Sequence, residues 1–105
     1  MKLKTTALVA GAALLSLGLV GTAAADGAAL YKSKSCFTCH GADAKTPIMP
    51  VYPKLAGQNA DYAYNQMMDI KSGKRANGQS VAMKGIMANV SEAEAKEIAT
   101  WLASQ

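Results

Sequence analysis

The chain has 105 residues, of which 50% are hydrophobic and 17% charged, with eleven Lys and Arg against seven Asp and Glu. This length allows one small domain after a targeting segment, and the longest basic run beyond the N-terminus, Lys74-Arg75, is too short to indicate a nucleic-acid-binding protein. Two cysteines and one histidine are also too few for a typical zinc site, which takes four Cys or His ligands.

The first 25 residues have the pattern of a secretory signal peptide. A basic start, Met1 to Lys4, precedes an apolar run from Ala7 to Val20, and the alanines at 23–25 fit a cleavage site. The apolar run is shorter than the roughly 20 residues that span a bilayer, so a retained membrane anchor is the weaker interpretation. We expect residues 1–25 to be cleaved and residues 26–105 to be exported to the periplasm, without stable membrane insertion.

The predicted mature domain, 26–105, carries nine Lys and Arg against seven Asp and Glu, a net charge of +2. The basic character of the precursor is therefore poor evidence for a nucleic-acid partner. A chain of this size buries only about 60% of its unfolded surface, so its hydrophobic core is marginal.

A first helix is predicted from about Gly27 to Ser35, and it leads into the run Cys36-Phe37-Thr38-Cys39-His40. This run holds every cysteine and histidine of the chain. Its spacing is that of a c-type haem attachment, in which two thiols add to the porphyrin vinyl groups and the next histidine ligates the iron. We therefore predict thioether bonds from Cys36 and Cys39 and iron ligation by His40. A buried haem would also enlarge the marginal core.

A dithiol redox motif or a single disulfide is the alternative interpretation of the two cysteines. A thioredoxin-like enzyme needs strand-helix-strand patterning around the motif, whereas the flanking segments here are typical of helix and loop. This alternative also leaves His40 without a role.

The rest of the chain is predicted to be helices joined by loops. Three prolines between Thr46 and Gln58 forbid a continuous helix and indicate an ordered loop. Further helical segments are predicted over 60–71 with Asn59 as the N-cap, over 81–89, and from Ser91 through Leu102, where Ser91 and Glu94 form a capping box. No stretch alternates apolar and polar residues as a strand would, which indicates an all-α fold of four helices.

Taken together, these segments resemble the small bacterial class I cytochromes c, of the cytochrome c-553 kind, and one half of the two-haem periplasmic cytochromes c. The resemblance rests on five segments in order: Gly27 to Tyr31, Cys36 to Gly41, Tyr52 to Gln58, Asp69 to Gly73, and Met83 followed eight residues later by Ser91. It implies the class I cytochrome c fold, with about four short helices wrapped around one covalently bound haem c. It also implies that the first helix crosses the last near Tyr31 and Trp101.

Composition alone leaves the second iron ligand open among the methionines. Met1 leaves with the signal peptide, and the others are Met49, Met67, Met68, Met83 and Met87. In the resembled proteins the ligand lies eight residues before the serine that caps the last helix, which implies Met83, with Met87 as the alternative. The resemblance also implies that the backbone carbonyl of Pro53 orients His40.

Iron held by His40 and Met83 has no open position for a substrate, so the resemblance implies a single-electron carrier and not an enzyme. Its expected partners are transient redox-protein donors and acceptors, and we expect a monomer that binds no nucleic acid. Five basic side chains have two interpretations, in which they either steer an acidic partner or are simply solvated. They are Lys45, Lys54, Lys74, Arg75 and Lys84. Two alternative functions are an open-site haem protein, peroxidase-like or gas-binding, and a haem-free thiol-disulfide protein.

Overall fold

Five α-helices supply the regular structure of residues 26–105, the part of the chain that this computed structural model describes. They are α1 (Gly27–Ser33), α2 (Phe37–His40), α3 (Ala60–Ser72), α4 (Ser80–Met87) and α5 (Glu92–Ala103). No strand occurs in this range, which confirms the prediction of an all-α fold. The predicted signal peptide lies outside the described residues. Among the five helices, none has the length and apolarity needed to cross a bilayer.

The helix starts that the sequence predicted are confirmed in atomic detail. The Asn59 side chain accepts a hydrogen bond of 2.9 Å from the backbone N–H of Tyr62 at the start of α3. At the start of α5, the Ser91 hydroxyl accepts from the Glu94 backbone N–H at 3.1 Å, and the Glu94 carboxylate accepts from the Ser91 N–H at 2.9 Å. This capping box satisfies two backbone donors that would otherwise lack partners.

The prediction of one continuous first helix from Gly27 to Ser35 was wrong at its C-terminal end. Helix α1 ends at Ser33, and Ser35 adopts a left-handed backbone with φ of +68°, which no α-helix accommodates. The Cys36 N–H then bonds the Tyr31 carbonyl at 3.0 Å, and a separate four-residue helix, α2, contains Cys39 and His40. The break gives the motif its own turn of helix.

Helices α1 and α5 cross in close contact at Gly27. A Cβ at this position would collide with the backbone carbonyl of Glu97 and with the Cβ of Trp101, so only glycine allows this approach. One turn later, the rings of Tyr31 and Trp101 lie 5.0 Å apart between centroids at 45°, which confirms the predicted aromatic contact. Helix α5 also packs on α3, and α3 packs on α4.

The hydrophobic core lies between α1, α3 and α5. Its buried members are Tyr31, Ala44, Met67, Ile70, Met87, Val90, Ala95, Ile98, Ala99 and Leu102. Helix α5 contributes four of these residues, at positions 95, 98, 99 and 102, which lie along one face of the helix. The C-terminal helix is therefore the central element of the packing.

The long connection between α2 and α3 is an ordered loop, as its prolines predicted. The backbone N–H groups of Leu55 and Ala56 both donate to the Ala44 carbonyl, at 2.9 and 3.0 Å. The Gly57 N–H donates to the Leu102 carbonyl of α5 at 2.9 Å. These bonds fold the loop back onto itself and attach it to the C-terminal helix.

The Tyr31 hydroxyl makes a buried hydrogen bond that joins α1 to the end of α2. It donates to the Gly41 carbonyl at 2.6 Å. Burial, followed by the charges of Cys36 and Asp43, raises the pKa of Tyr31 to about 12. The neutral hydroxyl is therefore the form that the fold stabilises.

We expect Gly27→Ala to lower the free energy of unfolding by about 1–3 kcal/mol, because the added methyl group overpacks the crossing of α1 and α5. Denaturant unfolding of the purified protein measures the change. Ala28→Ser adds an atom at the exposed neighbouring position and should change stability by less than about 0.5 kcal/mol. Equal effects of the two substitutions would contradict the crossing contact.

We expect Tyr31→Phe to cost about 1 kcal/mol of stability at pH 7, through loss of the bond to Gly41. The folded pKa of Tyr31 lies above its ordinary value of 10, so its contribution is fully present below pH 10 and is lost as pH rises through about 12. Unfolding measured from pH 7 to 12 should therefore show the two proteins converging. Tyr62→Phe, at an exposed tyrosine, should have little effect at any pH.

Candidate functional site

The two cysteines of the motif lie on one turn of chain. Cys36 is the N-cap residue of α2, and its carbonyl accepts hydrogen bonds from the N–H groups of Cys39 at 3.4 Å and His40 at 3.1 Å. Residues three apart in a helix lie on the same face, so both thiols project from one side. Both are free and half-buried. They can therefore form two bonds to one bound group.

His40 is fixed by a hydrogen bond to the proline-containing loop. Its ring is 7% exposed, and Nδ1 lies 2.8 Å from the Pro53 carbonyl oxygen. A nitrogen that bonds a carbonyl must carry the proton, so the neutral ring keeps a lone pair on Nε2. Burial lowers the pKa of His40, although the Pro53 carbonyl opposes that shift. The neutral imidazole, which is the form that binds metals, is favoured.

Backbone geometry directly after His40 turns the chain back toward the motif. Gly41 has φ +90° and ψ 157°, a conformation that is essentially restricted to glycine. The Asp43 carboxylate accepts from the N–H groups of Lys45 at 2.8 Å and Thr46 at 3.1 Å, and the Lys45 bond is the main reason why the pKa of Asp43 is lowered. The Ile48 N–H then donates to the Cys39 carbonyl at 3.1 Å. The loop thus lies against α2.

Large apolar side chains are exposed on the elements that carry the site. Those more than a third exposed are Phe37, Ile48, Met49, Val51, Tyr62, Val81 and Ile86. All of them except Tyr62 belong to α2, to the loop that bonds Cys39, or to α4. Exposed apolar surface of this kind marks a binding region. Such surface, two free thiols and an oriented imidazole fit a large apolar group with a metal centre, such as haem.

The methionines differ in how deeply their side chains are buried. Met83 is half-buried on α4, whereas Met87, one turn further along the same helix, is 1% exposed in the core. Met67 is 7% exposed, Met68 is half-buried against the core as Met83 is, and Met49 is exposed in the loop. The structure thus brings Cys36, Cys39, His40 and Pro53 together, as the sequence predicted, and places the methionine candidates on separate elements. Iron ligation by Met83 stays a prediction.

The thiol-redox alternative gains no support from the surroundings of Cys36. Burial raises the pKa of this thiol to about 11. Reactive cysteines have a lowered pKa, because the thiolate is the nucleophile. A protonated, half-buried thiol is unlike the attacking cysteine of a dithiol oxidoreductase.

Sequence analysis missed two supports of the site. The Asp43 turn had a local signal, since an Asp side chain in a loop commonly accepts hydrogen bonds from the backbone N–H groups two or three residues on. The bond from the Tyr31 hydroxyl to Gly41 had none, because it joins residues from two different helices through a buried side chain.

Comparison with known proteins gives consistent matches. A family model for cytochrome c matches residues 24–105. Cytochrome c4 of Pseudomonas aeruginosa is 45% identical over 95 residues, which cover 88% of this chain and 45% of that protein. Cytochrome c-553 of Nitratidesulfovibrio vulgaris is 34% identical over 90 residues, covering 86% of each. A thiosulfate dehydrogenase electron acceptor of Stutzerimonas stutzeri is 37% identical over 101 residues, covering 90% of this chain and 45% of that protein. The chain spans about half the length of the cytochromes c4 that it matches.

We expect Gly41→Ala to destabilise the protein by about 2–4 kcal/mol. The alanine would adopt a strained backbone conformation that suits glycine, and its Cβ would clash with the Thr46 carbonyl. Gly57→Ala separates these effects, because Gly57 also has a positive φ, of +80°, but has open space around it. It should cost about 1–2 kcal/mol. Denaturant unfolding compares them, and equal losses would refute the Thr46 clash.

Proposed function

The chain belongs to the cytochrome c family, and we propose that it is an exported single-electron carrier whose covalently bound haem is ligated by His40 and Met83. Membership of the family implies haem c with its iron, and an electron-carrying function. The identity of the ligands, the compartment and the partners belong to the proposal. Its main support is the turn of chain that presents two thiols and an oriented imidazole together.

In this proposal Cys36 and Cys39 hold the haem through two thioether bonds. Their position on one side of α2, both free and half-buried, supports this role. Covalent attachment suits a small domain with a marginal core, because the haem cannot dissociate and its apolar surface contributes to the packing. The exposed apolar side chains of the loop and of α4 are candidates to cover it.

His40 would ligate the iron through Nε2, because the Pro53 carbonyl, 2.8 Å from Nδ1, holds the proton on that nitrogen. This bond fixes both the tautomer and the orientation of the ring. It also makes the imidazole a better electron donor to a metal, since the hydrogen bond from Nδ1 to the carbonyl increases the basicity of the ring. Pro53 is therefore a positioning residue for the ligand.

Met83 is proposed as the second iron ligand, since its side chain is only half-buried on α4, where it packs against the core without being enclosed by it. Met87 on the same helix is fully enclosed, and its sulfur is occupied by packing. The spacing of eight residues between Met83 and the Ser91 cap supports the same choice by resemblance to related cytochromes.

When bound, the haem supplies an iron that exchanges one electron between its ferric and ferrous states. Two protein ligands leave no position for a substrate, so this arrangement supports electron transfer and not catalysis. A thioether ligand and an apolar pocket both disfavour the extra positive charge of the ferric state, so they raise the reduction potential.

The compartment and the partners are inferred from the sequence and the comparisons. We place the protein in the periplasm because residues 1–25 have a signal-peptide pattern. One matched relative is named for accepting electrons from thiosulfate dehydrogenase, which supports transient redox proteins as donors. Lys45 and Lys54 are exposed beside the site and are available to attract an acidic partner, whereas Arg75 is engaged by Gln66 at 3.0 Å.

We expect Met83→Ala to abolish the far-red sulfur-to-iron absorption band of the oxidised protein and to lower its reduction potential. Met87→Ala should keep the band, although it should lose about 2–5 kcal/mol of stability because it opens a cavity in the core. Both variants should retain haem after denaturation in acidic organic solvent, since Cys36 and Cys39 are unchanged. Absorption spectra of the exported proteins, oxidised and reduced, give the result.

Three other outcomes would contradict parts of the proposal. Loss of the band in Met87→Ala alone would assign the ligand to Met87. Retained haem without the band, together with ready carbon monoxide binding in the reduced protein, would indicate an open-site haem protein. Free thiols at both cysteines and no pigment would restore the thiol-disulfide alternative.

A further inference from the structure

Lysine ammonium groups hold the end of the helix that carries Met83. Lys71, on α3, donates to the carbonyl of Met87 at 2.9 Å and to the carbonyl of Val90 at 2.7 Å. Lys34, directly after α1, donates to the Asn89 carbonyl at 2.9 Å. Three of the four carbonyls from Met87 to Val90 are therefore bound to a cation.

The position of Lys71 suits the electrostatics of α4. The last carbonyls of a helix lack partners within the helix and carry partial negative charge, so a cation there is stabilising. Lys71 is half-buried, which strengthens its bonds relative to those of a solvated lysine. Lys34 lies nearer the surface and also forms a salt bridge with Glu94 at 3.4 Å. Its bond to the Asn89 carbonyl therefore stabilises the end of α4 less than the bonds of Lys71 do.

The bonds of Lys71 fix the backbone one turn from Met83. Met87 follows Met83 by four residues, on the same face of α4, and its side chain is anchored in the core. Lys71 therefore couples the last turn of α4 to α3, a helix of 13 residues that packs on the C-terminal helix. A shift of α4 along its axis would break both ammonium bonds.

We propose that Lys71 is a positioning residue that keeps Met83 on the iron, by holding the end of α4 through the carbonyls of Met87 and Val90. This inference rests on the proposed ligation by Met83. In the absence of Lys71, α4 would spend more time displaced, and Met83 would leave the iron more often. Lys71 acts through the backbone and does not itself touch the haem in this scheme.

Imidazole binding to the oxidised, haem-loaded protein tests the proposal, because imidazole occupies the iron position only when Met83 has left it. Apparent affinity scales with the fraction of open protein. Lys71→Leu, which removes the charge and keeps an apolar side chain, should raise the affinity about fivefold and weaken the sulfur-to-iron band. Lys71→Arg retains the charge and donors and should stay within about twofold of the unmutated protein.

Two control variants separate positioning from general stability and charge. Ile98→Val removes a methyl group from the core on α5 and should lower stability without changing imidazole affinity. Lys32→Leu removes one charge from an exposed site on α1 and should also leave the affinity unchanged. If Lys71→Leu fails to fold, Lys71→Gln keeps a neutral N–H donor group in place of the ammonium and should raise the affinity about twofold to threefold.

Unchanged imidazole affinity in the Lys71 variants, with the band present, would overturn the role of Lys71 and leave the ligation by Met83 standing. An equal rise in Ile98→Val would also overturn it, since the effect would then follow stability alone. Absence of the band from the unmutated protein would instead remove the Met83 assignment and, with it, this proposal.

Discussion

The hydrogen bond between His40 and the Pro53 carbonyl joins the two parts of the site. On one side is a four-residue helix that carries the motif, and on the other a loop with three prolines. Proline has a fixed φ, so the backbone at Pro53 has few conformations to lose on folding. The loop is held from both sides of Pro53, by Ile48 bonding Cys39 and by Leu55 and Ala56 bonding Ala44. The whole loop, and not Pro53 alone, therefore fixes the orientation of the His40 imidazole.

The C-terminal helix supports this arrangement from a distance. Tyr31 packs its ring against Trp101 of α5 and donates its hydroxyl to Gly41, the residue directly after His40. The Gly57 N–H, at the far end of the loop, bonds the carbonyl of Leu102 on the same helix. Gly27 lets α1 approach α5 closely. The motif and the loop are therefore both positioned by the same helix, α5. The C-terminal helix thus supports both the motif and the Pro53 loop.

The features that the residues alone predicted are those with local causes, whereas the contacts of Tyr31 with Trp101 and of His40 with Pro53 were expected from the family resemblance. The caps at Asn59 and Ser91, the loop around Pro53 and the grouping of Cys36, Cys39 and His40 depend on neighbours within a few residues. The bonds of Lys71 join residues 16 and 19 positions apart, on separate elements, and a lysine in an amphipathic helix ordinarily indicates a solvated face. The break at Ser35 had no glycine or proline to mark it. These features depend on how the helices meet, which periodicity does not specify.

The choice between Met83 and Met87 illustrates how packing narrows what composition leaves open. Both lie on α4 one turn apart, so helical spacing gives them the same face. A thioether that is enclosed by core side chains cannot reach a metal without opening a cavity, and such a cavity costs several kcal/mol. Met87 is in that situation, whereas Met83 keeps a partly exposed side chain. Met87 instead has a structural role. Its buried side chain and the hydrogen bond from Lys71 to its carbonyl fix the turn of helix that follows Met83. A carrier that must keep the same ligands in two oxidation states needs such an anchor, since any ligand that shifts with oxidation state adds a rearrangement to each electron transferred.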